Sequence, residues 1–165
     1  MKLLNRIIVL VLFVFYMYAL LRIILFKFRW RDMDFLLHQL QRNVENPDIL
    51  MYQLQRANLI PLKTIFINIQ SLSGWHDLSN LVGNIVAFIP FGMFLLLLFK
   101  NKRISFIGVL ALSLSLSLYL ECLQVVFSLG IFDVDDLILN TFGGLLGFGA
   151  MKLYDKTYSK FIVNT

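Results

Sequence analysis

Leu81-Val-Gly-Asn-Ile-Val-Ala-Phe-Ile-Pro-Phe-Gly-Met-Phe-Leu-Leu-Leu-Leu-Phe99 contains no charged residue. As a helix rising 1.5 Å per residue, it is long enough to cross a hydrocarbon core of about 30 Å. Strands of comparable hydrophobicity would need a closed barrel, and one such stretch supplies no partners for closure. This segment therefore sets the fold class: an all-α, polytopic membrane protein.

Three further spans follow from the same criterion: Ile7 to Phe28, Ile104 to Leu129 and Leu137 to Tyr154. Ser113, Ser115 and Ser117 alternate with leucine in a strand-like way, but the length of the surrounding apolar run keeps that segment helical. Gly143, Gly144, Gly147 and Gly149 would weaken a helix in water, whereas in lipid small residues let helices approach closely. Pro90 is expected to kink the second span. One small bundle over residues 1–165 is expected, with no second domain.

Composition agrees. The chain has 165 residues, 59% hydrophobic and 15% charged, more apolar surface than a soluble core absorbs. The net charge of +5 is dispersed around apolar runs and forms no basic patch, so nucleic acid is not an expected partner. Cys122 is the single cysteine, which excludes an intramolecular disulfide and a cysteine metal cage; it reads as a packed small hydrophobe. His38 and His76 have no partner at ligand spacing.

Lys100, Lys102 and Arg103 fill the connection between the second and third spans, while the next connection carries Asp133, Asp135 and Asp136 and no base. The positive-inside rule places the first of these in the cytoplasm. Lys2, Arg6, Lys152, Lys156 and Lys160 then agree with cytoplasmic termini, whereas Lys27, Arg29 and Arg31 fall on the outer side. They begin a long connection, 29–79, and long loops obey the charge rule poorly. Within it Phe35, Leu36, Leu37 and Leu40, then Ile49, Leu50, Met51 and Leu54, recur at helical intervals, separated by Asn46-Pro47-Asp48 as a turn or cap. Short amphipathic helices on the outer membrane surface are expected there, with Trp30 and Trp75 at headgroup level.

With this orientation Asp77, Asn80, Asn84, Glu121, Gln124, Asp136 and Asn140 converge at the outer face, beside the acidic connection that carries Asp133. An ionised side chain at mid-membrane costs roughly 2.5 to 3.5 kcal/mol on insertion scales, so such groups need a partner, a cavity or a proton. Asp77, Asn80 and Asn84 repeat the i, i+3, i+7 spacing of Asp133, Asp136 and Asn140, which suggests related helices facing each other across one site. Ligand binding by Asn80, Asn84, Glu121, Gln124, Asp133, Asp136 and Asn140 is one expectation; catalysis by Glu121 with Asp133 and Asp136 is another. The plainer alternatives are helix caps for Asn80, Asp133 and Asp136 and interhelical hydrogen bonds for Asn84, Glu121 and Asn140. No cofactor is expected, though Asp133 and Asp136 leave a divalent cation open. No Gly-x-Ser-x-Gly elbow, phosphate-binding loop, dinucleotide fingerprint or His-Glu-x-x-His motif occurs.

At these residues the chain resembles the VanZ-like family of small bacterial membrane proteins. The resemblance is carried by Asn84-Ile-Val-Ala-Phe-Ile-Pro-Phe-Gly92, by Glu121-Cys-Leu-Gln124 and by Asp133 through Gly147, with support from Asn58-Leu-Ile-Pro61 and the segment Tyr18 to Phe26. The matching positions are Asn84, Phe88, Pro90, Gly92, Glu121, Gln124, Asp133, Asp136, Asn140, Gly143, Gly144 and Gly147. The resemblance implies a multi-pass protein of the bacterial cell membrane that lowers susceptibility to teicoplanin, a lipid-bearing glycopeptide. The expected partners are the bilayer and a lipid, lipid-linked wall precursor or lipoglycopeptide. The sequence leaves oligomeric state open.

Overall fold

The computed structural model describes residues 3–26, 32–70, 75–99 and 104–163, with the side chains of 26, 75–79 and 158–163 excluded. Lys2, Lys27, Arg29, Trp30, Arg31, Lys100, Lys102 and Arg103, and the side chains of Trp75, His76, Asp77 and Lys160, lie outside the described residues.

Seven helices account for nearly all of the described chain: α1 (Leu3–Phe26), α2 (Met33–Glu45), α3 (Pro47–Gln55), α4 (Lys63–Gln70), α5 (Trp75–Leu98), α6 (Phe106–Val126) and α7 (Val134–Val163). Among the described residues, four stretches are long and apolar enough to cross a membrane: Leu3–Leu25, Asn80–Leu98, Phe106–Val126 and Val134–Thr157. The all-α, four-span reading holds.

Local chemistry explains several boundaries. Asp32 caps α2 by accepting from Phe35 N at 3.0 Å, and Pro47 opens α3 at a position where its missing N–H leaves no intrahelical bond unmade. Ser105 caps α6 through Gly108 N. α5 continues through Pro90.

The end of α6 differs from expectation. The helix stops at Val126 rather than Leu129, because the chain reverses at Ser128, with φ 50°, and the N–H of Leu129 returns to the Gln124 carbonyl at 2.7 Å. Glu121 is therefore five positions before the helix end, a rise of about 7 to 8 Å rather than the expected 12 Å. α7 begins three residues before Leu137 and runs nine residues past Tyr154.

α5 and α7 form the most extensive helix pair. The glycines explain it: a Cβ at Gly92 would enter the Gly144 carbonyl, and Cβ atoms at Gly143 and Gly147 would enter the carbonyls of Ile85 and Ile89. Backbones come this close only where the side chain is a hydrogen atom, the small-residue packing of membrane helices. Ser113 of α6 approaches Gly144 from the other side. Leu20, Ile24, Phe88, Phe91, Leu95, Val109, Leu120 and Phe148 fill the centre.

α1 runs antiparallel to α5, with Tyr16 donating its hydroxyl to the Ala87 carbonyl at 2.8 Å and Phe13 beside Phe91 and Phe94. α1 and α6 thus run toward one end of the bundle, and α5 and α7 start from it. The short helices α2 to α4 cover that same end.

Candidate functional site

The site is assembled where α7 begins. Asp133 caps the helix by accepting from Asp135 N at 2.8 Å, the capping alternative raised by the sequence. The same carboxylate accepts from Asn58 Nδ2 at 2.8 Å and Thr64 Oγ1 at 2.7 Å, so both oxygens are engaged. Its backbone N–H donates to Glu121 Oε2 at 3.1 Å. Asn58 and Asp133 also form an isolated parallel bridge, with Asn58 N donating to the Phe132 carbonyl and Val134 N to the Asn58 carbonyl.

Asp135 was read from sequence only as part of an acidic turn. It is fully buried and accepts three backbone bonds, from Leu62 N at 2.5 Å, Thr64 N at 2.6 Å and Ile65 N at 3.1 Å. These donors belong to the start of α4, whose first N–H groups have no partners within the helix. A carboxylate 70 or more residues away thus caps α4. It also holds Leu62 at φ 67°, a left-handed conformation uncommon for a bulky residue.

Asn84 of α5 donates to Asp136 Oδ1 in the first turn of α7 at 2.6 Å, tying the two helices together on the pocket side of their glycine contacts. Asn80, one turn earlier, faces the same space. A pocket of about 330 Å³ lies here, lined by Thr64, Ile65 and Asn68 of α4, Asn80 and Leu81 of α5, Gly130 and Ile131 of the turn, and Asp133, Asp136 and Leu139 around α7. Polar and apolar groups alternate around this wall, which suits a ligand with both kinds of surface.

The remaining candidates stand apart. Glu121 is buried behind Asp133, and Gln124 donates to the Ile24 carbonyl of α1 at 2.8 Å. Asn140 donates to Ser117 Oγ of α6 at 2.9 Å. Asn84 and Asn140 therefore occupy matching positions in the i, i+3, i+7 pattern yet bond to different helices. None of Glu121, Gln124 and Asn140 lines the pocket. Cys122 is exposed on the outside of the bundle, not packed, because the buried stripe of α6 runs through Ser113, Ser117, Leu120, Glu121 and Gln124. Among the described residues, no group of three or more His, Cys, Asp and Glu is placed to share a metal ion.

Sequence reasoning missed Thr64, Asn68, Asn43 and Ser128. Asn43 of α2 is buried and donates to the Val126 carbonyl and to Ser128 Oγ, both at 2.8 Å, pinning α2 over the end of α6. The sequence of α2 carries no signal that singles out Asn43, which is one of several polar residues on that helix.

Comparison with known proteins supplies the remaining information. A family model described as VanZ/LLP1 matches residues 13–155. Protein VanZ of Enterococcus faecium is 39% identical over 88 residues, covering 53% of this chain and 52% of that protein. The chain spans about half the length of that curated relative. No solved structure matches.

Proposed function

From the chain's place in the VanZ/LLP1 family, to which it belongs, we propose that it is a multi-pass cell-membrane protein that lowers susceptibility to lipid-bearing glycopeptides such as teicoplanin. It does so by holding the polar head of an amphiphile in the pocket between α4, α5 and α7. The amphiphile is a lipid, a lipid-linked wall precursor or the acylated drug itself. Both termini are cytoplasmic, and the pocket faces outward, as the charge pattern around the spans favours.

The observation that carries this reading is the pocket wall, where Thr64, Asn68, Asn80, Asp133 and Asp136 stand among Ile65, Leu81, Ile131 and Leu139. Binding is favoured over catalysis because the carboxylates already serve structural partners: Asp133 accepts from Asn58, Thr64 and Asp135, Asp136 from Asn84, and Glu121 from Asp133. An acid–base catalyst must reach the proton that it transfers, and Glu121 does not line the pocket.

The reading is tested by purifying the wild-type chain and Asn80→Leu in mild detergent and identifying copurified amphiphiles by native mass spectrometry. A discrete adduct retained by wild type and lost from a folded Asn80→Leu supports it. Equal retention, or no discrete adduct on wild type, contradicts it.

A further inference from the structure

The short helix α4 is turned inside out for a helix bathed in water. Thr64 and Asn68, one turn apart, face the pocket, while Phe66 and Ile67 point outward with 61% and 51% of their surface exposed. The preceding turn adds exposed Leu59, Ile60 and Leu62. α2 also carries an exposed apolar stripe, Met33, Leu37, Leu40 and Val44 at helical spacing, with Asn43 buried beside it. A lid over a water-filled site would bury its apolar face and show its polar one. Large contiguous apolar surface on a folded chain marks a membrane or partner contact.

The position of α4 identifies the contact. It packs on both α5 and α7, and Asp135 fixes its first turn to the start of α7. Its outer face therefore continues upward from the exposed apolar sides of those spans, at Val82, Val86, Ile138 and Phe142. Within α4 the one charged residue is Lys63 at its start, whose long stem can carry its ammonium to the headgroups.

We propose that α4 is a lipid-facing wall: its Phe66 and Ile67 side lies among the acyl chains of the outer leaflet while its Thr64 and Asn68 side closes the polar pocket. The inference rests on the pocket reading above for its functional consequence, which is that the ligand arrives sideways from the leaflet. The head of the amphiphile then passes into the pocket while its chains stay in lipid beside α4.

The test places single cysteines in a Cys122→Ser background by Phe66→Cys, Ile67→Cys and Asp48→Cys, Asp48 being exposed at the start of α3. Each is labelled with an environment-sensitive fluorophore and reconstituted in phosphatidylcholine–phosphatidylglycerol vesicles. Probes at 66 and 67 should be quenched several-fold more by brominated acyl chains than the probe at 48, and several-fold less by aqueous iodide. Iodide quenching at 66 and 67 equal to that at 48 overturns the proposal. Protection from iodide without acyl-chain quenching, accompanied by cross-linking between copies at 66, also overturns it and assigns the face to a second copy of the chain. No ligand is used, so loss of the pocket reading through Asn80→Leu leaves this result standing, and the reverse holds.

Discussion

Asn84, within α5, and Asp136, in the first turn of α7, are 52 residues apart in sequence and meet at 2.6 Å, and their hydrogen bond holds the pocket end of the glycine-packed pair. Below it Gly92, Gly143 and Gly147 bring the two backbones together. The polar clasp and the small-residue seam are consecutive layers of one interface.

Replacing Asn84 with Leu removes its hydrogen bond to Asp136 Oδ1. Interhelical hydrogen bonds in bilayers contribute about 0.6 to 1.7 kcal/mol, and Asn84→Leu is expected to lose about that much. Steric-trap unfolding in bicelles, with Val86→Leu as an exposed control, measures the difference.

The glycines divide into two sets. Gly147→Ala places a Cβ inside the Ile89 carbonyl, so α5 and α7 must separate, whereas a Cβ at Gly149 meets nothing within 4 Å. Gly147→Ala should abolish a monodisperse folded protein in detergent. Gly149→Ala should fold normally and gain up to about 1 kcal/mol from helix propensity. Size-exclusion profiles and thermal melts of the two variants check this contrast.

How much of this was legible in the sequence depends on which contacts are local. The spans were, because length and hydropathy decide them residue by residue, and the break between α2 and α3 was, because Asn46-Pro47 carries its own backbone signal. Of the residues in the i, i+3, i+7 pattern, Asn80, Asn84, Asp133 and Asp136 lie near one another in the structure, whereas Asn140 bonds to Ser117 of α6 and the side chain of Asp77 is outside the described residues. Asp135 was not legible as a latch, since its partners are backbone N–H groups of Leu62, Thr64 and Ile65, and backbone donors leave no mark in a sequence. The depth of Glu121 was overestimated because the apolar run continues through a turn after α6 has ended. Gln124 bonds to the Ile24 carbonyl for the same unreadable reason.

Asp135→Asn should free α4 without disassembling the spans. An amide offers one acceptor oxygen where three N–H donors now converge on two, and the penalty for buried donors left unmade is about 1 to 3 kcal/mol. Hydrogen exchange across 59–70 should accelerate while exchange in α5 and α7 stays slow; unchanged protection at Thr64 and Ile65 would rule out the latch.

Glu121→Gln keeps an acceptor for Asp133 N and stays the same size, so a binding protein tolerates it. Expression and detergent stability should remain close to wild type, whereas Glu121→Leu should lose both. Protection against teicoplanin should survive in Glu121→Gln; its complete loss in a folded variant would favour acid–base chemistry.

The central claim is that the Asn80, Asp133 and Asp136 pocket protects against a lipid-bearing glycopeptide. It is tested most directly by teicoplanin and vancomycin susceptibility of a sensitive Gram-positive host carrying wild type or Asn80→Leu at matched membrane levels. The account predicts that wild type raises the inhibitory concentration of teicoplanin several-fold with little change for vancomycin, and that Asn80→Leu returns it to the level of the empty host. Undiminished protection by folded Asn80→Leu, or no protection by wild type, would contradict it.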